Sequence, residues 1–253
     1  MTSEKVLKVL YILVACLCMM MINWVFLFPA TWALGLSEGH KNRLEAFTKI
    51  QSIVPPSLLM KYEGHPDIQL GHTLMSGFWS MCVPFQIHEG LRKKYRTAHR
   101  WVGYFFTLFG VCMMVGLALI DHRKLSFLDN DFQDVPESAP ISALGFGFLN
   151  HHLVMRLMGV WFLTTLAVAV LAARRRDFVT HRKWIYRHVG SGIWVAVQRL
   201  YVVPADTSSP EMQRRSFADG AIVAMIVTVF LGEVAVWALR SGSQKEKVKG
   251  KAG

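Results

Sequence analysis

Apolar residues run along this chain in long blocks, not as the single apolar stripe of a soluble amphipathic helix or the alternation of a half-buried strand. Six blocks can be drawn, at residues 6–28, 68–88, 98–120, 144–173, 181–203 and 217–239. At least five of them hold stretches of about 18 to 25 residues with almost no charge, the length a helix needs to cross ~30 Å of hydrocarbon. The pattern predicts an all-α integral membrane bundle of about six transmembrane helices, a single domain over residues 1–253. Spans two to five form its core, and spans one and six pack outside. The first block lacks the small-residue cleavage site of a signal peptide and reads as a retained helix ended by Pro29. The second is the weakest, since it contains His72, Pro84, Gln86 and His88. Of the connecting segments, 31–67 has room for a short helix across Lys41 to Ile53. The acids of 121–141 (Asp121, Asp129, Asp131, Asp134, Glu137) lack calcium-loop spacing and read as a solvated acidic loop.

Composition agrees with the pattern: 53% of the 253 residues are hydrophobic and 18% charged, against ~25% charged in an average soluble domain. Soluble-enzyme readings are excluded. The net charge of +11 is unevenly spread. If spans alternate, the side holding the N-terminus (side A) also takes the 89–100 loop, the 174–187 segment and the C-terminal tail. It collects eighteen Lys and Arg against four acids, while side B has eight basic residues and twelve acids. Lys and Arg accumulate on the cytoplasmic side, so both termini are predicted to face it. A basic rim beside anionic headgroups accounts for the charge without a nucleic-acid partner, and the tail 241–253 reads as a polybasic end that touches lipid. Cys16, Cys18, Cys82 and Cys112 all fall inside apolar blocks without Cys-x-x-Cys spacing, which argues against a disulfide framework or zinc knuckle.

Candidate chemistry rests on the ten histidines. His72 opens span two on side B, His99 span three on side A, His151 and His152 span four on side B, and His181 and His188 span five on side A. Alternation brings spans two and four together on one side and three and five on the other. A four-helix bundle that holds two b-type haems needs this layout, each iron taking one imidazole from each of two facing helices. The expected pairs are His99 with His181 and His72 with His152, with His188 and His151 in reserve. Gly103, one turn after His99, gives a porphyrin close approach. Arg156 and Arg199, charges inside the spans, would balance propionates; Gln86, on one helix face with His72 and Trp79, would line a cofactor cleft or a polar seam. Glu233, inside span six, is a structural ion-pair partner or a proton relay. Against this stands the plainer reading that histidines at span ends are interfacial anchors.

Several motifs resemble a known family. Gly71-His72 through Pro84-Phe85-Gln86, Leu91-Arg92 with His99-Arg100-Trp101-Val102-Gly103-Tyr104, and His181-Arg182-Lys183-Trp184-Ile185-Tyr186-Arg187 followed by Gln198-Arg199-Leu200 are similar, in order and spacing, to a family of multi-pass membrane proteins from bacteria and fungi catalogued as a domain of unknown function. The resemblance covers about residues 68–204 and implies the bundle fold without an activity. In topology the layout also resembles the two-haem, ascorbate-type transmembrane cytochromes b, whose local motifs it does not share. The expected function is a b-type haem membrane protein that carries electrons across the bilayer. The alternative is a non-catalytic structural, assembly or accessory subunit of a membrane complex. A solute or proton carrier is a third class, and the sequence shows no paired broken helices of the kind such carriers use.

Overall fold

Long apolar blocks become long helices because no backbone group can be left without a partner where water is absent. The structure, a computed structural model, describes residues 2–27, 62, 64–126, 135–136, 139–205 and 208–249, with side chains to 241. The expected helix across Lys41 to Ile53 and the acids from Asp129 to Glu137 lie outside the described residues. Helix α1 is Ser3–Leu27. A composite follows: α2 (Pro66–Ile68), a π-helical turn over Gln69–Leu74, and α3 (Met75–Ile87). Then come α4 (Glu89–Lys94), α5 (Arg96–His122), α6 (His151–Arg174), α7 (Phe178–Gly192), α8 (Trp194–Val202) and α9 (Pro210–Lys249). No strand occurs among the described residues.

Four helices are long and apolar enough to cross a membrane: α1, α5, α6 and the part of α9 up to Ser241. The second predicted span is built from three pieces and the fifth from two. The first of these is interrupted by the π turn, upstream of Pro84, through which α3 continues to Ile87. The other breaks at Ile193, between α7 and α8. Of the residues that make this block the weakest in sequence, Pro84 lies inside α3 and His72 inside the π turn.

Local capping sets the remaining boundaries. Asn150 accepts a hydrogen bond from the Leu153 amide and starts α6 seven residues later than the apolar block suggested. Gly145 takes φ +83° in the preceding loop, a conformation only glycine adopts without strain. Asp177 caps α7 by accepting from the Thr180 amide. The Thr180 hydroxyl, and after it the Thr180 amide, hold its carboxyl below the ordinary carboxylate range.

Spans one and six do not form an outer layer, contrary to expectation. Helix α1 packs between α3 and α9, α9 packs on α7 and α8, α7 on α6, and α3 on α5, which closes a ring of helices. Cys18 and Val25 of α1 and Ala235, Val236 and Ala238 of α9 are buried in the same cluster as Trp79, Phe106 and Phe162. Small residues on α9 explain this, because alanine and glycine let its backbone approach neighbours closely. The outer surface stays apolar, with Val9, Ile12, Phe105, Leu108, Val115, Leu157, Val160, Phe230 and Trp237 exposed. A contiguous surface of that kind suits lipid and would be a liability in water.

Ion pairs join ends that the alternation assigns to one side. Arg182 meets Glu89 at side A; at side B Arg123 forms a fork with Asp67, and Arg156 meets Asp121.

Candidate functional site

The centre of the bundle is an aromatic cluster around His188, fully buried at 0% exposure. Its Nδ1 lies 3.2 Å from the Phe162 carbonyl, an acceptor, and 3.3 Å from Thr165 Oγ1, whose own proton goes to the same carbonyl. Nδ1 must therefore carry the proton. Nε2 then holds a lone pair, and Trp79 Nε1–H donates to it at 3.2 Å. The ring stacks edge-on to Phe106 and Trp79, with Phe162 4.2 Å away. Both nitrogens are used, so His188 is a core residue and leaves nothing for a metal.

The same bookkeeping gives a different result toward side A. His181 Nδ1 donates to the Ala169 carbonyl at 2.8 Å, which fixes the tautomer and leaves Nε2 as the lone-pair nitrogen. Oriented metal-ligating imidazoles are held in this way. His99, on α5, lies within electrostatic reach of both His181 and Arg92. Its Nδ1 is buried and makes no hydrogen bond. Gln86 does not touch the ring; its Nε2 donates to the His99 carbonyl at 3.0 Å. Around the pair, Glu89 binds Lys93 and Arg182. Partial burial opposes ionisation of Glu89, but the Lys93 hydrogen bond and the charge of Arg182 outweigh it and hold its carboxyl below the usual range. Side A thus offers two imidazoles among guanidinium groups.

Glycines on α5 separate two kinds of approach. A Cβ on Gly116 would lie 2.6 Å from the Cβ of His72 and 2.9 Å from its Cα and backbone nitrogen, so glycine is required for α5 to meet the π turn. A Cβ on Gly103 would meet nothing nearer than the Gln86 amide at 3.7 Å. Packing against protein does not require glycine there.

At the end that the alternation assigns to side B, a cavity of about 200 Å³ lies between the two interrupted helical segments. The π turn and α3 contribute His72, Thr73, Ser76, Trp79 and Ser80, while the α7–α8 break contributes Ser191, Gly192, Trp194, Gln198 and Arg199. His72 Nδ1 donates to the Met113 carbonyl at 2.8 Å. From α6 the wall is Met155, Met158, Gly159 and Phe162. His152 is half-buried one turn above this wall. His151 beside it is buried, its Nδ1 bonded to Leu149 O at 3.0 Å and its Nε2 without a hydrogen bond. At about 200 Å³ the cavity is below the ~300 Å³ where sites for drug-sized ligands begin.

The charged candidates are placed individually. Arg156 is 62% exposed and bound to Asp121, and Arg199 sits over the rings of Trp24 and Phe217, 5.2 Å from each centroid. Glu233 pairs with Arg187 at 2.6 and 2.9 Å, an ion pair between α7 and α9. Sequence reasoning missed Asp219. Buried on α9, it accepts hydrogen bonds from Ser142 and from the Ala143 and Leu144 amides, and it clasps the loop before α6. Its only signal was a lone acid at the edge of an apolar block. Among the described residues no group of three or more His, Cys, Asp or Glu could hold a metal ion. A metal held by two imidazoles needs its remaining ligands from a non-protein group, as a porphyrin supplies them.

No family model, curated protein or solved structure matches the chain.

Proposed function

We propose that the protein is a multi-pass membrane redox protein that binds a single b-type haem at side A through His99 and His181. The observation that carries this reading is the buried Nδ1 of His99 without a hydrogen-bond partner, within electrostatic reach of an imidazole whose own tautomer is set by the Ala169 carbonyl. Gly103 adds to it, since a flat group one turn from the ligand needs the space a side chain would take. When bound, haem supplies one-electron transfer. The chain's own residues orient the imidazoles, offer Arg92 and Arg182 to anionic groups, and close the site below with the aromatic cluster of Trp79, Phe106 and Phe162. A second haem between His72 and His152 forms no part of the reading.

The topology belongs to the same proposal. At 1.5 Å per residue, the composite 66–87 reaches roughly 33 Å and 178–202 roughly 37 Å, each enough to cross hydrocarbon. Six crossings with both termini on the basic side follow from that. A pyridine haemochrome assay on detergent-purified protein expressed with ample haem tests the reading. About one haem per chain is expected, lost in His99→Ala and His181→Ala; a colourless, folded wild-type protein ends it and leaves the accessory-subunit reading.

A further inference from the structure

The cavity on side B is not used by the haem reading, and its walls carry specific chemistry. We infer that it binds the hydroxylated ring of a small neutral aromatic molecule, a ligand of the hydroquinone or phenol class. Size sets the first limit. A cavity of ~150 Å³ with apolar walls holds one benzene ring, so about 200 Å³ accommodates a single substituted ring. Wall composition sets the second. Trp24, Trp79, Phe162 and Trp194 with several methionines give flat, polarisable surfaces suited to an aromatic face.

Hydrogen-bond accounting sets the third. Ser76 Oγ donates to Thr73 O at 2.7 Å, Ser80 Oγ to Ser76 O at 2.8 Å and Ser191 Oγ to His188 O at 2.8 Å. Each hydroxyl has one proton. With those protons directed to the backbone, the three serines offer only lone pairs toward the cavity. His72 has its Nδ1 proton on Met113 O, and Gln198 gives an amide proton to Phe217 O. The wall thus sets these lone pairs beside N–H groups of Arg199, Trp24 and Trp194 and suits a hydroxyl, which both donates and accepts. An ammonium ligand would also donate, but Arg199 adds positive charge to the wall and no carboxylate lines it among the described residues. A neutral O–H donor meets all three limits.

The irregular backbone has a matching purpose. Non-helical backbone at membrane depth persists where it is buried in protein or lines a cavity. Here the π turn and the α7–α8 break both border the same one. Gly192 at that break allows Trp79 and Phe162 to pass, since a Cβ there would lie 2.5 and 2.8 Å from their rings.

Isothermal titration calorimetry on the full-length protein in detergent tests the inference, with tert-butylhydroquinone as the probe. Tert-butylbenzene of the same shape without oxygens and the cationic 4-tert-butylbenzylamine serve as comparisons. Saturable binding near one per chain is expected, about tenfold or more tighter than either comparison, as one or two hydrogen bonds would give. The double variant Ser76→Ala, Ser80→Ala should lose about tenfold while melting close to wild type. If tert-butylbenzene binds equally well, if the amine binds more tightly, or if the serine variant keeps full affinity, the inference is overturned. His99→Ala protein, without pigment, should bind the probe unchanged. Absence of haem and absence of ring binding are therefore separate results.

Discussion

His188 on α7 and His99 on α5 are both histidines within the bundle, and the fold treats them in opposite ways. Around His188 every polar atom has a partner from within the chain, from Trp79 on one nitrogen to Phe162 and Thr165 on the other. Around His99 one ring nitrogen is buried with none, and the nearest ionisable neighbours are another imidazole and an arginine. A buried histidine that the protein satisfies by itself is structure. One that it leaves short is a place where something else is expected, because an unmet buried polar group costs ~1–3 kcal/mol. The same residue type carries two meanings, and only hydrogen-bond accounting separates them.

The contrast can be broken most decisively with paired alanine variants. His99→Ala and His181→Ala should reduce haem content at least tenfold in the haemochrome assay, with the unfolding free energy of the haem-free protein changed by less than about 1 kcal/mol. His188→Ala should lower that free energy by about 3 kcal/mol in denaturant titration, since it strands the Trp79 donor and opens a void in the aromatic cluster. If the His99 and His188 variants lose stability equally, the distinction fails.

Two glycines on α5 sharpen the comparison at a smaller scale. Gly116→Ala places a methyl group against the His72 backbone and should destabilise by about 1–3 kcal/mol, read as a lower melting temperature. Gly103→Ala should leave the haem-free protein as stable or up to about 1 kcal/mol more so, because alanine is the better helix residue and has room. The same change should nevertheless deplete pigment. A Gly103→Ala protein with full haem content removes the macrocycle from that face.

The smallest effect concerns pH. Glu89 has its folded-state ionisation shifted below the unfolded value, so its contribution is present above about pH 4.3, the ordinary glutamate value, and is lost as pH falls through the lower folded one. Wild type should therefore lose slightly more melting temperature than Glu89→Gln between pH 6 and pH 3. Glu89 is 47% exposed and the pair is screened, so under about 1 kcal/mol is at stake. Identical pH profiles would show that the Glu89–Arg182 contact does not hold α4 to α7.

Much of the architecture was legible before any coordinates. Charge-free blocks specify helices because a polar backbone has no other way to be satisfied in hydrocarbon, and the blocks at α1, α5 and α6 match helices to within a few residues at most ends. The π turn was not legible, since Gln69–Leu74 contains neither proline nor a run of glycines, and the room it needs is left by Gly116 on α5, distant in sequence. Nor could spacing choose between His181 and His188. They share a helix face, and the choice depends on Trp79, more than a hundred residues away in sequence.

By itself the sequence determined that the chain forms long apolar helices, which ends carry the basic residues and at which levels the histidines fall, because these follow from local composition and the rise of a helix. The tertiary structure decided which imidazoles are closed by neighbours, that α1 and α9 complete the ring, and that two interrupted helical segments border a cavity. Those outcomes depend on contacts between distant segments, where tenths of an ångström at a glycine and the direction of one proton determine what a side chain can still do.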